Sequence, residues 1–120
     1  MTTPRISRIV VSVSGLEQAL GFYRDLLGLP VERAAGELAW LRTDDGVELM
    51  LHERPARASD TAVALGFLVD DVDATVARWI DDGGAVADAP STRPWGERMA
   101  VVRDADGHLV CLSQPASAPA

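Results

Sequence analysis

Residues 8–13 alternate in polarity, with Ile9, Val11 and Val13 on one face, and this period of two predicts a strand. The period then becomes helical. Leu16, Leu20, Tyr23 and Leu27 share one side, Ser14 and Glu17 stand at capping-box spacing, and Gly28 can close the helix. Residues 31–33, 38–42 and 47–52 read as three strands, the last two joined through an Asp45-Gly46 turn. Residues 54–61 (RPARASDT) carry no apolar periodicity and read as a linker. Beyond them 63–69 is a strand. Asp70 is the expected cap of a helix with Val72, Val76, Trp79 and Ile80 inward, stopped by Gly83-Gly84. Residues 86–87, 98–103 and 108–113 are further strands, and 88–96 is a Pro-rich loop holding Trp95.

These elements repeat. VSGLEQA from Val13 matches VDDVDAT from Val69, and LRTDDGVELML from Leu41 matches VRDADGHLVCL from Val102. The offsets are 56 and 61 residues and the order is the same, so two copies of one unit explain both pairs. The prediction is an α+β fold of two tandem βαβββ modules. Module one spans about 5–53, the linker 54–61, module two 62–114, and 115–120 form a frayed tail, all within one domain of residues 1–120. Duplicated half-domains usually share a cleft, so the residues facing it decide function.

Strand alternation sorts those residues. Ile9, Val11 and Val13, then Val47, Leu49 and Leu51, then Leu65, Phe67 and Val69, and finally Val110 and Leu112 are apolar and should face the helices. The opposite sets are Arg8, Val10 and Ser12; Glu48, Met50 and His52; Ala64, Gly66 and Leu68; Leu109, Cys111 and Ser113. This second face is mixed and partly polar, as a ligand pocket is, and Ala64 and Gly66 leave room in it.

A hydrophobic content of 48% can fill the core, and a formal charge of −7 argues against a nucleic-acid partner, whose phosphates would be repelled. The one cysteine, Cys111, suits a reducing cytoplasm. No apolar run reaches the ~18 residues of a membrane span, and MTTPRIS lacks the apolar region of a signal peptide. A cytoplasmic protein without a membrane partner is expected. No HxH, CxxC, HExxH or G-x-S-x-G spacing occurs. Glu48 and His52 lie about 13 Å apart on one strand, at ~3.4 Å per residue, too far to share an ion. His108 and Cys111 point to opposite faces. Asp44, Asp45, Asp104 and Asp106 read as turn formers.

The phrases GLEQALGFYRDLLGLPV, VDDVDATVARW and PWGERMAVVRDADGHLVCL, set in two βαβββ halves, resemble the vicinal-oxygen-chelate superfamily. That group includes glyoxalase I, extradiol dioxygenases and bleomycin-resistance proteins. The resemblance runs from about Arg5 to Gln114 and implies a cupped mixed sheet with helices outside. It does not choose a function, because the superfamily holds both enzymes and pure binders. Its metal enzymes carry His or Glu at four positions that match Arg8, Met50, Ala64 and Cys111. A divalent ion of hard or borderline character takes imidazole and carboxylate; Arg8 only donates, Ala64 has no ligand atom and Met50 is a soft thioether. The resemblance therefore implies no metal and no cofactor here.

Two readings follow. The first is a metal-free binder without catalytic residues, sequestering an aromatic or apolar antibiotic or natural product. Its ligand set is Arg8, Ser12, Trp40, Glu48, Met50, His52, Ala64, Gly66, Leu68, Trp95, Met99 and Cys111. The alternative is a glyoxalase-like lyase or isomerase, or a dioxygenase-type enzyme, using Glu48 as base and Arg8 as oxyanion partner. A sensor using the same pocket is a weaker third. Trp40 either stacks on the ligand or covers its sheet, Trp95 either lines the site or packs its loop, and Trp79 is core. Arg8 contacts an oxygen of the ligand or pairs with Glu48. Cys111 is a buried, inert residue, or a thiol activated by a nearby cation such as Arg8. Exposed sheet edges, and the habit of the resembling family, predict a homodimer whose clefts draw on both subunits.

Overall fold

The computed structural model describes residues 3–59 and 62–115. In order, the elements are β1 Arg8–Val13, α1 Leu16–Leu20 with a π-helical continuation Gly21–Leu26, β2 Val31–Ala35, β3 Leu38–Arg42 and β4 Glu48–Glu53. Then come β5 Leu65–Leu68, α2 Val72–Asp81, β6 Ala85–Thr92, β7 Arg98–Arg103 and β8 Leu109–Gln114. The chain divides into two compact units between Ala56 and Arg57. Each holds a four-stranded mixed sheet, ordered β1-β4-β3-β2 in the first and β5-β8-β7-β6 in the second. In each, the first strand runs parallel to the last and the other pairs are antiparallel. The fold is α+β, with two tandem βαβββ modules. Of the expected linker, Asp60 and Thr61 lie outside the described residues, as do residues 116–120 of the expected tail.

Hydrogen bonds repeat as faithfully as the sequence. The Leu16 N–H donates to Glu53 Oε2 at 2.7 Å, and the Val72 N–H donates to Gln114 Oε1, also at 2.7 Å. In both units the last residue of the last strand thus reaches across to satisfy a free donor at a helix N-terminus. The N-cap is Gly15, one residue beyond the Ser14 expected to begin the capping box, and it has no side chain to offer. In α2 the N-cap is Asp71 rather than Asp70, its carboxylate accepting from Ala74 N–H at 3.0 Å.

The core of unit one takes Val11, Val13, Ala39, Leu41, Leu49 and Leu51 from the strands and Ala19, Leu20, Phe22, Tyr23 and Leu26 from the helical segment. Leu26 is buried where Leu27 was expected, and Leu27 is half-buried. The cause is the wide turn in which Leu27 N–H donates to Phe22 O at 2.9 Å. An i→i+5 turn inserts one residue and shifts every later side chain around the axis. Gly28, at φ +81°, closes the segment as predicted.

In unit two Val72, Val76 and Trp79 face Ala100, Val102, Val110 and Leu112 in a dry core, and the Trp79 indole N–H donates to Arg103 O at 2.7 Å. Ile80 does not join them; it is 54% exposed, one residue and about 100° around the axis from Trp79. Strand β5 is shorter than expected. β8 starts at Leu109, so the ladder runs out, and the Val63 carbonyl accepts from Ser59 Oγ at 2.8 Å instead. Strand β6 is longer, reaching Thr92 through the segment expected as a loop. It lies at the sheet edge and carries Pro90 within the second of two register shifts, where a missing N–H breaks no ladder.

One hairpin turn occurs three times. Gly46 N–H donates to Thr43 O, Gly96 N–H to Arg93 O and Gly107 N–H to Asp104 O, and all three glycines have positive φ. This is a type I turn followed by a glycine bulge. Buried Asp104 holds its copy by accepting from the Asp106 and His108 N–H groups at 3.0 and 2.9 Å, the turn-forming role read from the sequence.

Candidate ligand-binding face

Residues directly opposite one another in a ladder share a face, so strand register arranges the first sheet's outer side into rows. One row is Arg8–Glu48–Arg42, the next Val10–Met50–Trp40–Arg33, and the third Ser12–His52–Leu38–Ala35. Six of the expected ligand residues, Arg8, Ser12, Trp40, Glu48, Met50 and His52, therefore lie on one face. Residues on the other side of the same strands, such as Leu41 and Leu51, are fully buried. The middle row is mainly apolar and the rows flanking it are mainly polar.

In the first row Arg8 Nε donates to Glu48 Oε2, and Arg42 Nη2 lies 3.9 Å from Glu48 Oε1. Glu48 thus sits between two guanidinium groups, with its side chain only 14% exposed. That position engages both carboxylate oxygens and leaves it poorly placed to collect a proton from a substrate. Arg42 Nε also donates to Glu32 Oε1 at 2.6 Å, and this bond holds the Glu32 carboxyl below its ordinary range and raises Arg42 above its own. Beside the row, Arg5, Ile6, Arg8, Arg42, Asp45 and Glu48 line an open groove of about 880 Å³.

In the middle row the Arg33 guanidinium lies over the Trp40 ring, 4.0 Å from its centroid. A cation on an aromatic face holds both groups in place. Trp40 therefore covers its sheet beneath an arginine, and the plane it supports is that of Arg33. In the third row Arg54 Nε donates to Ser12 Oγ at 2.7 Å, and His52 Nε2 lies 3.9 Å from Glu37 Oε2.

The other six expected residues belong to unit two. Register places Gly66 opposite Cys111, with Leu68 opposite Ser113 and Met99 beyond it. Ala64 is exposed and precedes β5, and Leu68 is 70% exposed. Cys111 is half-buried and not the fully buried residue expected. Trp95 stands at the tip of the β6–β7 hairpin, 66% exposed, its indole N–H donating to Glu97 Oε1 at 2.9 Å.

Pattern reading passed over Arg33, Arg42 and Arg54. Arg42 was available from the period of two, sharing the parity of Trp40. Arg33 was not, because the register shift between Val31 and Arg33 changes the parity of β2.

The four positions matched to metal ligands do not fit a metal. Arg8 is tied to Glu48, Met50 stands between Val10 and Trp40, Ala64 offers no donor atom, and Cys111 alone is a single thiol. Asp104, Asp106 and His108 do bring ligand-type atoms within 4.8 Å of one another. The equivalent turn in unit one forms from Thr43, Asp45 and Val47, with Thr43 Oγ1 accepting from Val47 N–H at 2.9 Å. Turn geometry therefore accounts for that trio without an ion.

Residues 5–112 match the family model described as the Glyoxalase/Bleomycin resistance protein/Dioxygenase superfamily. The uncharacterized protein YraH of Bacillus subtilis is 27% identical over 121 residues, covering 88% of this chain and 94% of that protein. The uncharacterized protein Mb0911c of Mycobacterium bovis is 38% identical over 61 residues, covering 51% of this chain and 40% of that one. Among solved structures, a glyoxalase/bleomycin resistance protein from Albidiferax ferrireducens superposes with TM-score 0.77 at 25% identity, covering 91% of this chain and 98% of that one. A glyoxalase-related enzyme from Fulvimarina pelagi superposes with TM-score 0.82 at 19% identity, over 94% and 89% of the two chains, a likeness of fold. Among the described residues no helix is long and apolar enough to cross a membrane.

Proposed function

We propose, from the premise that this chain belongs to the glyoxalase/bleomycin resistance protein/dioxygenase superfamily, that it binds a small aromatic or apolar molecule without a metal and sequesters it unchanged. The observation that carries this reading is the row structure of the first sheet. An apolar strip of Val10, Met50 and Trp40 lies between a row in which Glu48 is held between Arg8 and Arg42 and a row in which Ser12 accepts from Arg54. Such a face orients a ligand and has no group poised to attack it. Met50 is unbranched and adapts to irregular shapes, and the Arg33–Trp40 stack gives a flat, fixed platform. A ligand covering roughly 150 Å² of apolar surface would gain roughly 4 kcal/mol, at about 25 cal/mol per Å². That corresponds only to millimolar affinity, so the polar rows must supply the remainder.

Resistance to an antibiotic or natural product would then follow by mass action, each chain removing one molecule. We take the binder to act as a homodimer, which sedimentation at micromolar concentration would show as twice the 12.8 kDa chain mass. Three tryptophans make the main test direct. Intrinsic fluorescence is titrated with a panel of aromatic antibiotics and metabolites in chelator-treated buffer, and each ligand is then recovered for mass spectrometry. The expected result is saturable quenching by at least one compound, recovered unaltered. Turnover of the bound compound in metal-free buffer would replace this reading with the enzymatic one.

A further inference from the structure

The protein carries eleven basic residues and no lysine, so every permanent cation is an arginine, in a chain of net charge −7. Their placement is uneven. Arg5, Arg8, Arg33, Arg42 and Arg54 all serve the outer face of the first sheet or the groove at its end. The acids there are Glu32 and Glu48, which pair with arginines, Glu37, which lies beside His52, and Asp45. In an acidic molecule this face thus gathers five arginines against four acids, and its cations are of the one kind that is planar and offers donors in a fork.

Those donors are not used up. Arg8 spends Nε on Glu48, and no protein acceptor engages its two terminal nitrogens among the described residues. Arg33 lies on the Trp40 ring, which takes none of its N–H groups. Arg5 lines the groove and makes no ion pair among the described residues. Its neighbour Asp45 is turned to the hairpin, where its carboxylate accepts from Thr43 Oγ1 at 2.6 Å.

We infer that the ligand is a planar aromatic carboxylate, its ring stacked on the Arg33 guanidinium over Trp40 and its acid group received by Arg5 and Arg8 in the groove. This rests on the binding reading above and names the chemical class that site selects. Arg42 is two residues along β3 from Trp40, and Arg8 is two strands further across, which puts the acid group roughly 7–12 Å from the ring platform. A fused or extended aromatic acid spans that distance; a benzoate does not. A carboxylate accepting from two guanidinium groups makes charge-assisted bonds, which supply what apolar contact alone cannot. A neutral ligand of the same shape keeps the stacking and forgoes those bonds.

The test uses the full chain, with 2-anthroate and its methyl ester as probes, followed by fluorescence anisotropy at low and high salt. Wild type should bind the acid at least about tenfold more tightly than the ester, with the preference shrinking as salt rises. Arg5→Gln and Arg8→Gln, both at exposed positions, should each reduce that preference, and the double variant should bind acid and ester alike, whereas Arg33→Gln should weaken both probes together. Equal binding of the two probes by wild type overturns this inference and leaves the binding reading standing. A preference for the acid that survives in the double variant also overturns it. Binding of neither probe overturns the inference and counts against the binding reading itself.

Discussion

At Gly84 an added Cβ would lie 2.1 Å from Trp79 Cδ1, and at Gly21 it would meet nothing within 4 Å. These two glycines differ in what the chain asks of them. Gly84 lets the backbone pass the Trp79 ring just where its N–H donates to Trp79 O at 2.8 Å and ends the helix. Gly21 lies in ordinary helical conformation at φ −57°, so its only effect is the entropy it adds to the unfolded chain. Gly84→Ala should lower unfolding free energy by several kcal/mol, in the range of an overpacked core, ~1–3 or more. Gly21→Ala should raise it by ~0.4–1 kcal/mol. Urea unfolding of the two variants beside wild type measures both. The pairing of Gly83-Gly84 was legible as a helix stop, but the ring contact was not, because nothing local to the sequence reveals that Trp79 folds back over the turn.

At the scale of elements, the decisive departure is the π-helical turn. The heptad-like spacing of Leu16, Leu20, Tyr23 and Leu27 is a true amphipathic pattern up to Tyr23, and the inserted residue then moves Leu26 into the core in place of Leu27. Sequence periodicity assumes a constant turn angle and cannot see such a slip. Leu26→Ala should cost ~2–5 kcal/mol, and Leu27→Ala about 1 kcal/mol or less, when measured by thermal or urea unfolding. The strands were better served, since β1, β3 and β7 begin and end where alternation places them. Strand β6 was expected only over 86–87, because Pro90 and two bulges erase its period beyond that. Between elements, Arg98 joins β7 to the first turn of α2 through Asp73, with Nε–Oδ2 at 2.5 Å. That hydrogen bond holds the Asp73 carboxyl below its ordinary value of 3.8. A lowered folded pKa stabilises above the unfolded pKa, and the contribution is lost as pH falls through the folded one. Asp73→Asn should therefore melt slightly below wild type at pH 7, and the difference should shrink as pH falls below the ordinary carboxylate range. It should be small, because the pair is partly exposed and solvent screens it.

For the whole molecule, duplication was the most legible fact. It shows in the sequence offsets and again in the paired Glu53 and Gln114 bonds to the two helix starts. The face carrying Arg8, Ser12, Trp40, Glu48, Met50 and His52 followed from alternation alone, since a period of two needs no tertiary information. How those side chains are occupied did not follow. Glu48 between Arg8 and Arg42, and Arg33 on Trp40, depend on cross-strand register, which hairpin turns and a bulge set. We read these pairings as those of a receptor surface, and they support metal-independent binding. Equilibrium dialysis of chelator-stripped protein against micromolar zinc, manganese, iron(II) and nickel tests it most directly, with bound metal counted per chain. The expected result is far less than one ion per chain and ligand quenching that is unchanged by added metal. One tightly held divalent ion per chain, required for ligand binding, would contradict it.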